Sequence, residues 1–226
     1  MDEYFKINSI WKRQGWYFDE QCKKDPTKQK GRQSFIEGDY ACQEFSLIKK
    51  WHVEEKIDGT NVRISYGQSG PGEPFEVDFL GRTSNSQMPY ELLKALKDLF
   101  PLEKIQLAFP NATRLVLYGE GYGPKIQSCG GNYRADLGFI LFDVYINGWW
   151  LEREGVKQTA EKLCIPCVPF IGIMTEKEIV DLVKSKPMSL CSKTPQVMEG
   201  IIARTIPVLL FRNGNPLVWK LKCKEF

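Results

Sequence analysis

The sequence predicts an α+β fold in which antiparallel sheets pack together and helices cover the outside. Short runs rich in β-branched and aromatic residues outnumber helical runs by roughly two to one, which is the first observation behind this prediction. The second is that hairpin turn signals connect several of these runs, as Asn147-Gly148 does. The third is that the helical runs carry apolar residues on one face only, as helices do on the outside of a sheet.

The composition is that of an ordinary soluble globular chain. Hydrophobic residues make up 42% and charged residues 26% of the 226 residues, enough for one good core or one domain with a small appendage. No apolar run has the length of a signal-peptide core or of a membrane span. We therefore expect an intracellular, cytoplasmic protein without a membrane partner, or a protein of the host cytoplasm if the source is viral.

The charge of the chain is mildly basic and says little by itself. The net charge is +3, from 31 basic and 28 acidic residues, which is too small to establish a nucleic-acid partner. Residues 22–32 (CKKDPTKQKGR) are locally much more basic. This run has two interpretations, a solvated loop or a segment that contacts the phosphate backbone of a nucleic acid.

The elements of the first half are predicted in chain order from local patterns. We expect residues 1–50 to form an N-terminal arm, aromatic and basic, that packs on a main domain of residues 51–226. The dipeptide Asp58-Gly59 predicts a hairpin between the first two strands of that domain. Leucines at helical spacing predict a helix that ends before Pro101. The predicted strands are residues 51–57, 61–66, 75–81 and 115–119, and the predicted helix is residues 90–100.

The second half alternates again between strands and helices. Asn147-Gly148 is the strongest two-residue hairpin signal in the chain, and Thr175 with Glu178 forms a capping box that opens a helix to about Ser185. The predicted strands are residues 138–146, 149–151, 199–206, 208–212 and 217–223, and another helix is predicted for residues 153–164.

The cysteines give weak signals. Seven cysteines without regular spacing are expected to be reduced thiols. Cys164 and Cys167 form a single CxxC pair, and His52 is the only histidine, so a zinc site has little support. We interpret CIPC as a buried turn that leads into a strand.

Lys56 is the candidate nucleophile. Alternation along the strand of residues 51–57 places Glu54, Lys56 and Asp58 on one face. This face is either a solvated surface of charged residues or a site with a reactive lysine. A lysine amine attacks phosphorus only when it is deprotonated, and neighbouring carboxylates oppose that loss of a proton. A catalytic role for Lys56 therefore requires cations nearby.

The last predicted strand supplies two such cations. In LVWKLKC the apolar residues fall on one face, whereas Lys220 and Lys222 share the other. Two lysines beside a covered sheet face are either a charged strand edge or an anion site. Together with Lys56, they indicate the anion site.

Five separated stretches of the sequence each carry residues that belong to one ordered series of motifs. They are KIDGTN with Lys56, LYGEGYG with Glu120, ILFDV with Phe142, EGIIAR with Glu199, and KLKCKEF with Lys220, Lys222 and the trailing Phe226. In this order they resemble motifs I, III, IIIa, IV and V of the lysine-dependent nucleotidyltransferase superfamily, which contains ATP-dependent ligases and mRNA capping enzymes. The resemblance implies an ATP-grasp-like adenylation domain with motifs I to V in residues 51–226. Relatives usually carry a further domain beyond motif V or before motif I, and in departing from them this sequence is expected to have no separate C-terminal domain.

The details resemble one branch of that superfamily. Thr60-Asn61 is closer to RNA ligases of the ligase 2 type and RNA-editing ligases than to DNA ligases or capping enzymes, which usually carry arginine at the position of Asn61. Arg82 and the run GPKIQ (residues 123–127) resemble the same branch. The resemblance implies an ATP-dependent RNA ligase.

The resemblance also implies a role for each motif residue. Lys56 would become covalently linked to AMP, and Asp58 belongs to the same catalytic motif. Phe142 would stack on adenine, although a core aromatic is the alternative at a strand position. The remaining assignments are Lys220 and Lys222 at the α-phosphate, Glu120 and Glu199 as ligands of Mg²⁺ or Mn²⁺, Asn61 and Arg82 near the ribose and phosphates, and Glu55 at the base.

The implied substrate is RNA with 3′-hydroxyl and 5′-phosphate ends, joined through lysyl-AMP and RNA-adenylate. Three alternatives stay open: a GTP-dependent capping guanylyltransferase, a DNA ligase, and a nucleotide-binding or RNA-binding module that has lost sealing. Nicked duplex, broken tRNA loop and single strand are not distinguished, and a protein partner or separate domain for RNA engagement is also left open.

Overall fold

In the computed structural model, residues 3–17, 32–83 and 85–226 are described, and within them the chain forms two five-stranded sheets and a two-stranded hairpin. Residues 22–31, which hold most of the basic run, lie outside the described residues. The strands are β1 (Asn8–Ser9), β2 (Trp11–Tyr17), β3 (Arg32–Tyr40), β4 (Trp51–Lys56), β5 (Thr60–Gln68), β6 (Phe75–Gly81), β7 (Arg114–Tyr122), β8 (Gly138–Ile146), β9 (Trp149–Trp150), β10 (Phe170–Met174), β11 (Gly200–Arg204) and β12 (Val218–Lys222).

Helices lie between the strands. They are α1 (Tyr90–Leu99), α2 (Leu102–Ala108), α3 (Gly130–Tyr133), α4 (Arg153–Lys162) and α5 (Glu176–Lys184), with 3-10 turns at Gln43–Leu47 and Cys223–Glu225. Within the described part of the chain, none of the helices is both long enough and apolar enough to cross a lipid bilayer.

The two large sheets have different strand orders. The first sheet runs β1-β12-β11-β4-β10, and the second runs β6-β5-β7-β8-β9. Neighbouring strands are antiparallel except β1, which pairs in parallel with β12. The predicted α+β fold with packed antiparallel sheets is confirmed.

The turn at Asp58-Gly59 does not close a hairpin, so that prediction is wrong. Strand β4 pairs with β10 and β11 in the first sheet, whereas β5 pairs with β6 and β7 in the second. The dipeptide is therefore a crossover from one sheet to the other. The local signal of a tight turn is the same in both cases, and only the strand partners distinguish them.

Two other local signals are confirmed. Asn147 and Gly148 both have positive φ, 48° and 96°, and join β8 to β9 as a hairpin. The Thr175 side chain accepts a hydrogen bond from the Glu178 backbone N–H, and the Glu178 carboxylate accepts one from Thr175 N. This capping box starts α5 where the sequence predicts it.

Two local predictions are wrong. Residues 208–212 do not form a strand, because the N–H groups of Val208 and Leu209 donate to the side chains of Glu152 and Thr205 instead of a neighbouring strand. Cys164 is exposed rather than buried in a turn. By contrast, the predicted end of the helix before Pro101 is confirmed, and α2 begins directly after that proline, since proline is tolerated at the start of a helix.

Each sheet covers its own core. One core lies between the second sheet and helices α1 and α4, and includes Leu96, Phe139 and Val156. The other lies between the first sheet and α5, and includes Trp51 and Trp219. The last strand divides as predicted: Leu217, Trp219, Leu221 and Cys223 are buried, while Lys220 and Lys222 are half-buried on the opposite face.

A buried cluster of charges lies where the two sheets meet. Arg204 of β11 bonds the carboxylates of Glu54 and Asp143, at 2.9 and 2.8 Å. Arg153, at the start of α4, pairs with the same two carboxylates. Glu54 belongs to the first sheet and Asp143 to the second, so the cluster joins the sheets. Although burial opposes ionisation, Arg153, His52 and Arg204 lower the pKa of Glu54 to about 2.

We predict that Arg204→Met destabilises the protein by about 3–5 kcal/mol, because it leaves two buried carboxylates with one cation. Urea unfolding measures the free energy of unfolding. Lys97→Met, on the exposed face of α1, is the control and is expected to change that free energy by less than about 0.5 kcal/mol. A loss below about 1 kcal/mol for Arg204→Met would contradict a joining role of the cluster.

Candidate active site

A cavity of about 180 Å³ opens between the two sheets at the crossover. Strand β4 ends there with Lys56, and β5, β7, β8 and β12 each direct a side chain into the same space. Seven of the predicted site residues line it: Glu55, Lys56, Asn61, Arg82, Glu120, Phe142 and Lys220.

Glu199 links the two lysines of the site. Its Oε2 accepts a hydrogen bond from Lys56 Nζ and its Oε1 accepts one from Lys222 Nζ, both at 2.6 Å. The strand register explains this arrangement, because Gly200 lies opposite Lys56 on one side and Lys222 on the other. Lys56 at the end of β4 and Lys222 at the end of β12 therefore meet at the carboxylate of Glu199, which directly precedes β11.

Two glycines in the motifs are required by close backbone approach. A Cβ on Gly59 would lie 2.5 Å from the Gly121 carbonyl oxygen and 2.7 Å from Glu120 Cγ. A Cβ on Gly200 would lie 2.1 Å from the Leu221 carbonyl oxygen. No side chain fits at either place, so glycine is what lets the crossover and β11 come this close to the acidic and basic residues of the site.

The charges around Lys56 keep it protonated. Burial lowers the pKa of Lys56. The negative charges of Glu199 and Glu120 and the hydrogen bond to Glu199 raise it by more, so the pKa of Lys56 lies above that of an ordinary lysine. Burial raises the pKa of Glu199, but the opposing effect of Lys56 and Lys222 is larger, so the pKa lies below its ordinary value and Glu199 is ionised. For Asp58, burial and Glu199 raise the pKa. By itself, the site therefore holds Lys56 as a cation rather than as a nucleophile.

Glu120 has the most perturbed carboxyl group of the site. Burial raises the pKa of Glu120 to about 8, and Glu199 and Asp58 add to this, while Lys56 and Lys222 oppose it. Its proton is therefore retained at neutral pH. A buried carboxyl group with so strongly raised a pKa is typical of a functional site.

Lys220 differs from Lys56 in the direction of its pKa shift. Burial, with the positive charges of Lys222 and Lys56, lowers the pKa of Lys220 to about 8. It lines the cavity and has no ion-pair partner in the described ranges 3–17, 32–83 and 85–226. A half-buried cation without a counter-ion favours an anionic ligand.

Polar and aromatic groups line the rest of the cavity. The buried Oδ1 of Asn61 has no hydrogen-bond donor among the described residues, which makes it an acceptor available to a ligand. Arg82 is exposed and also lines a neighbouring cleft of about 250 Å³ with Asn61. Phe142 is half-buried and packs against Tyr4, with ring centroids 5.1 Å apart, so it is both a packed aromatic and part of the cavity wall.

Glu55 lies at the cavity, but its carboxylate is turned away. The two oxygens accept hydrogen bonds from Ser189 Oγ at 2.5 Å and from Leu190 N at 2.7 Å. The side chain thus anchors the loop before β11. Base recognition by Glu55 stays a prediction of the resemblance.

The sequence does not single out several residues that shape the site. Tyr133 accepts a hydrogen bond from Asp58 N, at 3.3 Å, and Gln127 donates one to the Gly59 carbonyl at 2.9 Å. Both hold the crossover turn. Gln127 belongs to the GPKIQ run, whereas nothing local marks Tyr133. Further wall residues come from distant segments: Tyr4, Phe5, Ile7, Ile57, Val168, Ile202 and Arg204.

The donor set fits a hard divalent cation. Glu120 and Glu199 both act electrostatically on Lys56, and the register sets Asn61, with its unpaired oxygen, opposite Glu120. Oxygen donors suit Mg²⁺ and Mn²⁺. In the part of the chain that the structure describes, no cluster of three or more histidine, cysteine, aspartate or glutamate side chains is arranged around a common metal position. Mg²⁺ commonly takes only one or two protein carboxylates and completes its shell with water and phosphate.

Sequence comparison identifies the family. The profile of the RNA ligase family matches residues 49–220, about three quarters of the chain and every motif up to Lys220. The chain belongs to the RNA ligase family. A search of curated proteins finds no significant match.

Solved structures confirm the fold. A lysine-to-alanine variant of Naegleria gruberi RNA ligase with ATP and Mn superimposes with a TM-score of 0.57 at 18% sequence identity. The same ligase with PPi gives 0.57 at 20%, and a lysine-to-methionine variant with AMP and Mn gives 0.56 at 20%. Each match covers 77% of this chain and 49% of the ligase, so the chain spans about half the length of these relatives.

We predict that metal affinity depends on pH through Glu120. A metal must displace the proton of Glu120 below its pKa of about 8, so the Kd for Mn²⁺ should rise about 25-fold from pH 8.5 to pH 6.5. Titration followed by electron paramagnetic resonance measures this constant.

Two variants distinguish the contribution of Glu120 from that of Glu199. Glu120→Gln should abolish most of the pH dependence, because no proton is left to displace. Glu199→Gln should weaken binding while keeping that dependence, because Glu199 is already ionised across this range. An unaltered Kd in the wild-type protein between the two pH values contradicts the assignment of Glu120 as a ligand.

Proposed function

We propose that the protein is an ATP-dependent RNA ligase that joins 3′-hydroxyl and 5′-phosphate ends. One observation carries this proposal: Lys56, at the crossover between the sheets, lines a cavity with Glu120, Lys220 and the aromatic Phe142, and Glu199 hydrogen-bonds Lys56 there. Family membership supports RNA as the substrate. The similar Naegleria gruberi structures with ATP or AMP and Mn support ATP and a divalent metal.

The first step is attack of Lys56 Nζ on the α-phosphorus of ATP. A P–N bond forms, the bond to the bridging oxygen breaks, and pyrophosphate leaves with its electron pair. Nζ must first lose a proton, and Glu199 Oε2, 2.6 Å away, is the hydrogen-bonded acceptor already in place. Lys220 and Lys222 stabilise the charge that develops on the α-phosphate.

Glu120 and Glu199 would hold a divalent cation, whose positive charge would offset the carboxylates that raise the pKa of Lys56. Asn61 offers its free oxygen to the nucleotide and Arg82 its guanidinium to the phosphates. Phe142 provides an aromatic surface for the adenine, and Ile202 and Val168 line the cavity with it. The chain's own residues thus bind and orient the nucleotide and hold the proton of Nζ.

The later steps transfer AMP to an RNA 5′-phosphate and release it when a 3′-hydroxyl attacks. The neighbouring cleft is lined by Thr60, Asn61, Arg82 and Ser86. It opens beside the cavity that is lined by Lys56 and Phe142, which we call the nucleotide cavity. Because the chain spans about half of the similar ligases, RNA engagement through a partner or a further domain is part of the proposal. Intracellular action is also proposed, since the described cysteines are free thiols, as in a reducing compartment.

We predict that Lys56→Ala abolishes the transfer of label from α-labelled ATP to the protein, a loss of at least about 10³-fold. Lys97→Ala should charge at the wild-type rate and is the matched control. Lys220→Ala should charge about 10²-fold more slowly, because one stabilising cation is lost. The proposal fails if Lys56→Ala is labelled like the wild type.

The nucleotide and nucleic acid used in this assay separate the alternatives. Labelling from GTP but not ATP would indicate a capping enzyme. Label that moves to DNA ends in preference to RNA would indicate a DNA ligase, and binding without any labelling would indicate a module that has lost catalysis.

We also predict that the basic run contributes to RNA affinity. Replacing Lys23, Lys24, Lys28 and Lys30 by alanine should weaken binding most at low salt and reduce the slope of log K against log salt by up to about 3. Fluorescence anisotropy with a single-stranded RNA between 50 and 300 mM salt measures both. Equal slopes for variant and wild type contradict the prediction.

A further inference from the structure

A second cleft adjoins the nucleotide cavity. Its volume is about 440 Å³, and it lies between the N-terminal segment, the 3-10 turn Gln43–Leu47 and the loop before β12. Phe5 lines both spaces and is the wall between them. Apart from Phe5, no residue that lines this cleft also lines the nucleotide cavity. The cleft is therefore a distinct space that begins where the nucleotide cavity ends.

The lining of this cleft is cationic and aromatic. Lys6 and Arg212 are exposed and have no ion-pair partner in the described part of the chain. The rings of Phe5 and Phe211 are half-buried. Cationic side chains next to aromatic surfaces are the combination with which proteins bind single-stranded nucleic acids.

The same cleft offers hydrogen bonds suited to base edges. Asn215 has a side-chain amide without a partner among the described residues, and Asn213 uses only its oxygen, which accepts from Asn215 N at 3.1 Å. Glu44 is the one acid in the lining and can accept hydrogen bonds from exocyclic amino groups. Amide and carboxylate groups of this kind read bases that are not paired.

Hydrogen bonds and ring packing hold the cleft in shape. Phe211 N donates to the Asn215 carbonyl at 2.8 Å, and Trp150 Nε1 donates to the Gly214 carbonyl at 3.1 Å. The Phe211 ring packs on Phe45, with centroids 6.1 Å apart. The loop is thus braced from both sides, and a ligand would meet a preformed site.

We propose that this cleft binds an unpaired nucleotide of the RNA substrate, with Lys6 and Arg212 against its phosphates and Asn213 and Asn215 at its base. The inference rests on the proposed function, and it adds an RNA contact on the far side of Phe5 from the reaction centre. An RNA strand fits better than a free nucleotide, because the two cations lie at an open surface along which a backbone can continue.

The test compares two double variants. Lys6→Ala with Arg212→Ala removes both cations of the cleft, and Lys94→Ala with Lys97→Ala removes the same charge from the exposed face of α1. Anisotropy with a 12-nucleotide single-stranded RNA should show a loss of affinity of at least about fivefold at 50 mM salt for the first variant, and a salt slope smaller by about 1.4. The α1 variant should change each value much less.

Labelling by α-labelled ATP separates this inference from the proposed function. Neither Lys6 nor Arg212 lines the nucleotide cavity, so the cleft variant should charge at the wild-type rate, which also shows that it is folded. Wild-type protein that is not labelled overturns the ligase proposal. If the cleft variant is labelled normally and binds RNA as tightly as the α1 variant does, the assignment of the cleft as an RNA site is wrong.

Crosslinking gives a second, independent readout. RNA carrying 4-thiouridine should crosslink on irradiation to the peptide that contains residues 211–215, and excess unlabelled RNA should suppress the product. Absence of any crosslink in this peptide, while other peptides of the same protein react, overturns the inference. Asn213→Ala with Asn215→Ala should reduce the yield without changing the labelling by ATP.

Discussion

Glu54 and Asp143 share Arg153 and Arg204 in the interior, and these ion pairs fix how the two sheets meet. Each sheet has its own core, and the buried ion pairs join the two sheets together with a small apolar cluster that contains Ile57, Tyr122 and Ile140. The carboxylates come one from each sheet, and Arg204 bonds both. Burial makes this cluster costly unless every charge has a partner, so the sheets are held at the separation that satisfies all four. The nucleotide cavity lies beside the cluster and shares Glu54 and Arg204 with it.

The protonation state of Lys56 depends on a balance of charges around it. Glu199 holds Lys56 and Lys222 together, and Glu120 stays protonated because it is buried near other acids. Without ligands, this balance stabilises the protonated lysine, so the site is stable but unreactive. In the proposed reaction, added charges must change this balance, so activation of Lys56 would depend on the presence of the nucleotide and the cation. Such coupling would prevent the lysine from reacting with other electrophiles.

The N-terminal segment contributes more than packing. Strand β1 pairs with β12, so Asn8 and Ser9 lie beside Trp219 and Lys220. Tyr4 donates a hydrogen bond to Asp143 at 2.5 Å and packs on Phe142. Phe5 then separates the nucleotide cavity from the cleft with Lys6 and Arg212. The segment thereby brings the wall of the nucleotide cavity and the proposed RNA contact into one stretch of chain.

Local sequence patterns are enough to predict the α+β class, the hairpin at Asn147-Gly148 and the cap at Thr175, because each depends on residues that lie close together in the chain. The ordered spacing of the motifs also indicates the family. The crossing of Asp58-Gly59 between the sheets is visible only in the strand pairing, since a turn signal does not specify the partners of its strands. The same holds for the rotation of Glu55 toward Ser189, for Tyr133 at the Asp58 turn, and for the joining of Glu54 and Asp143. These contacts link residues far apart in the chain, so local patterns carry no record of them.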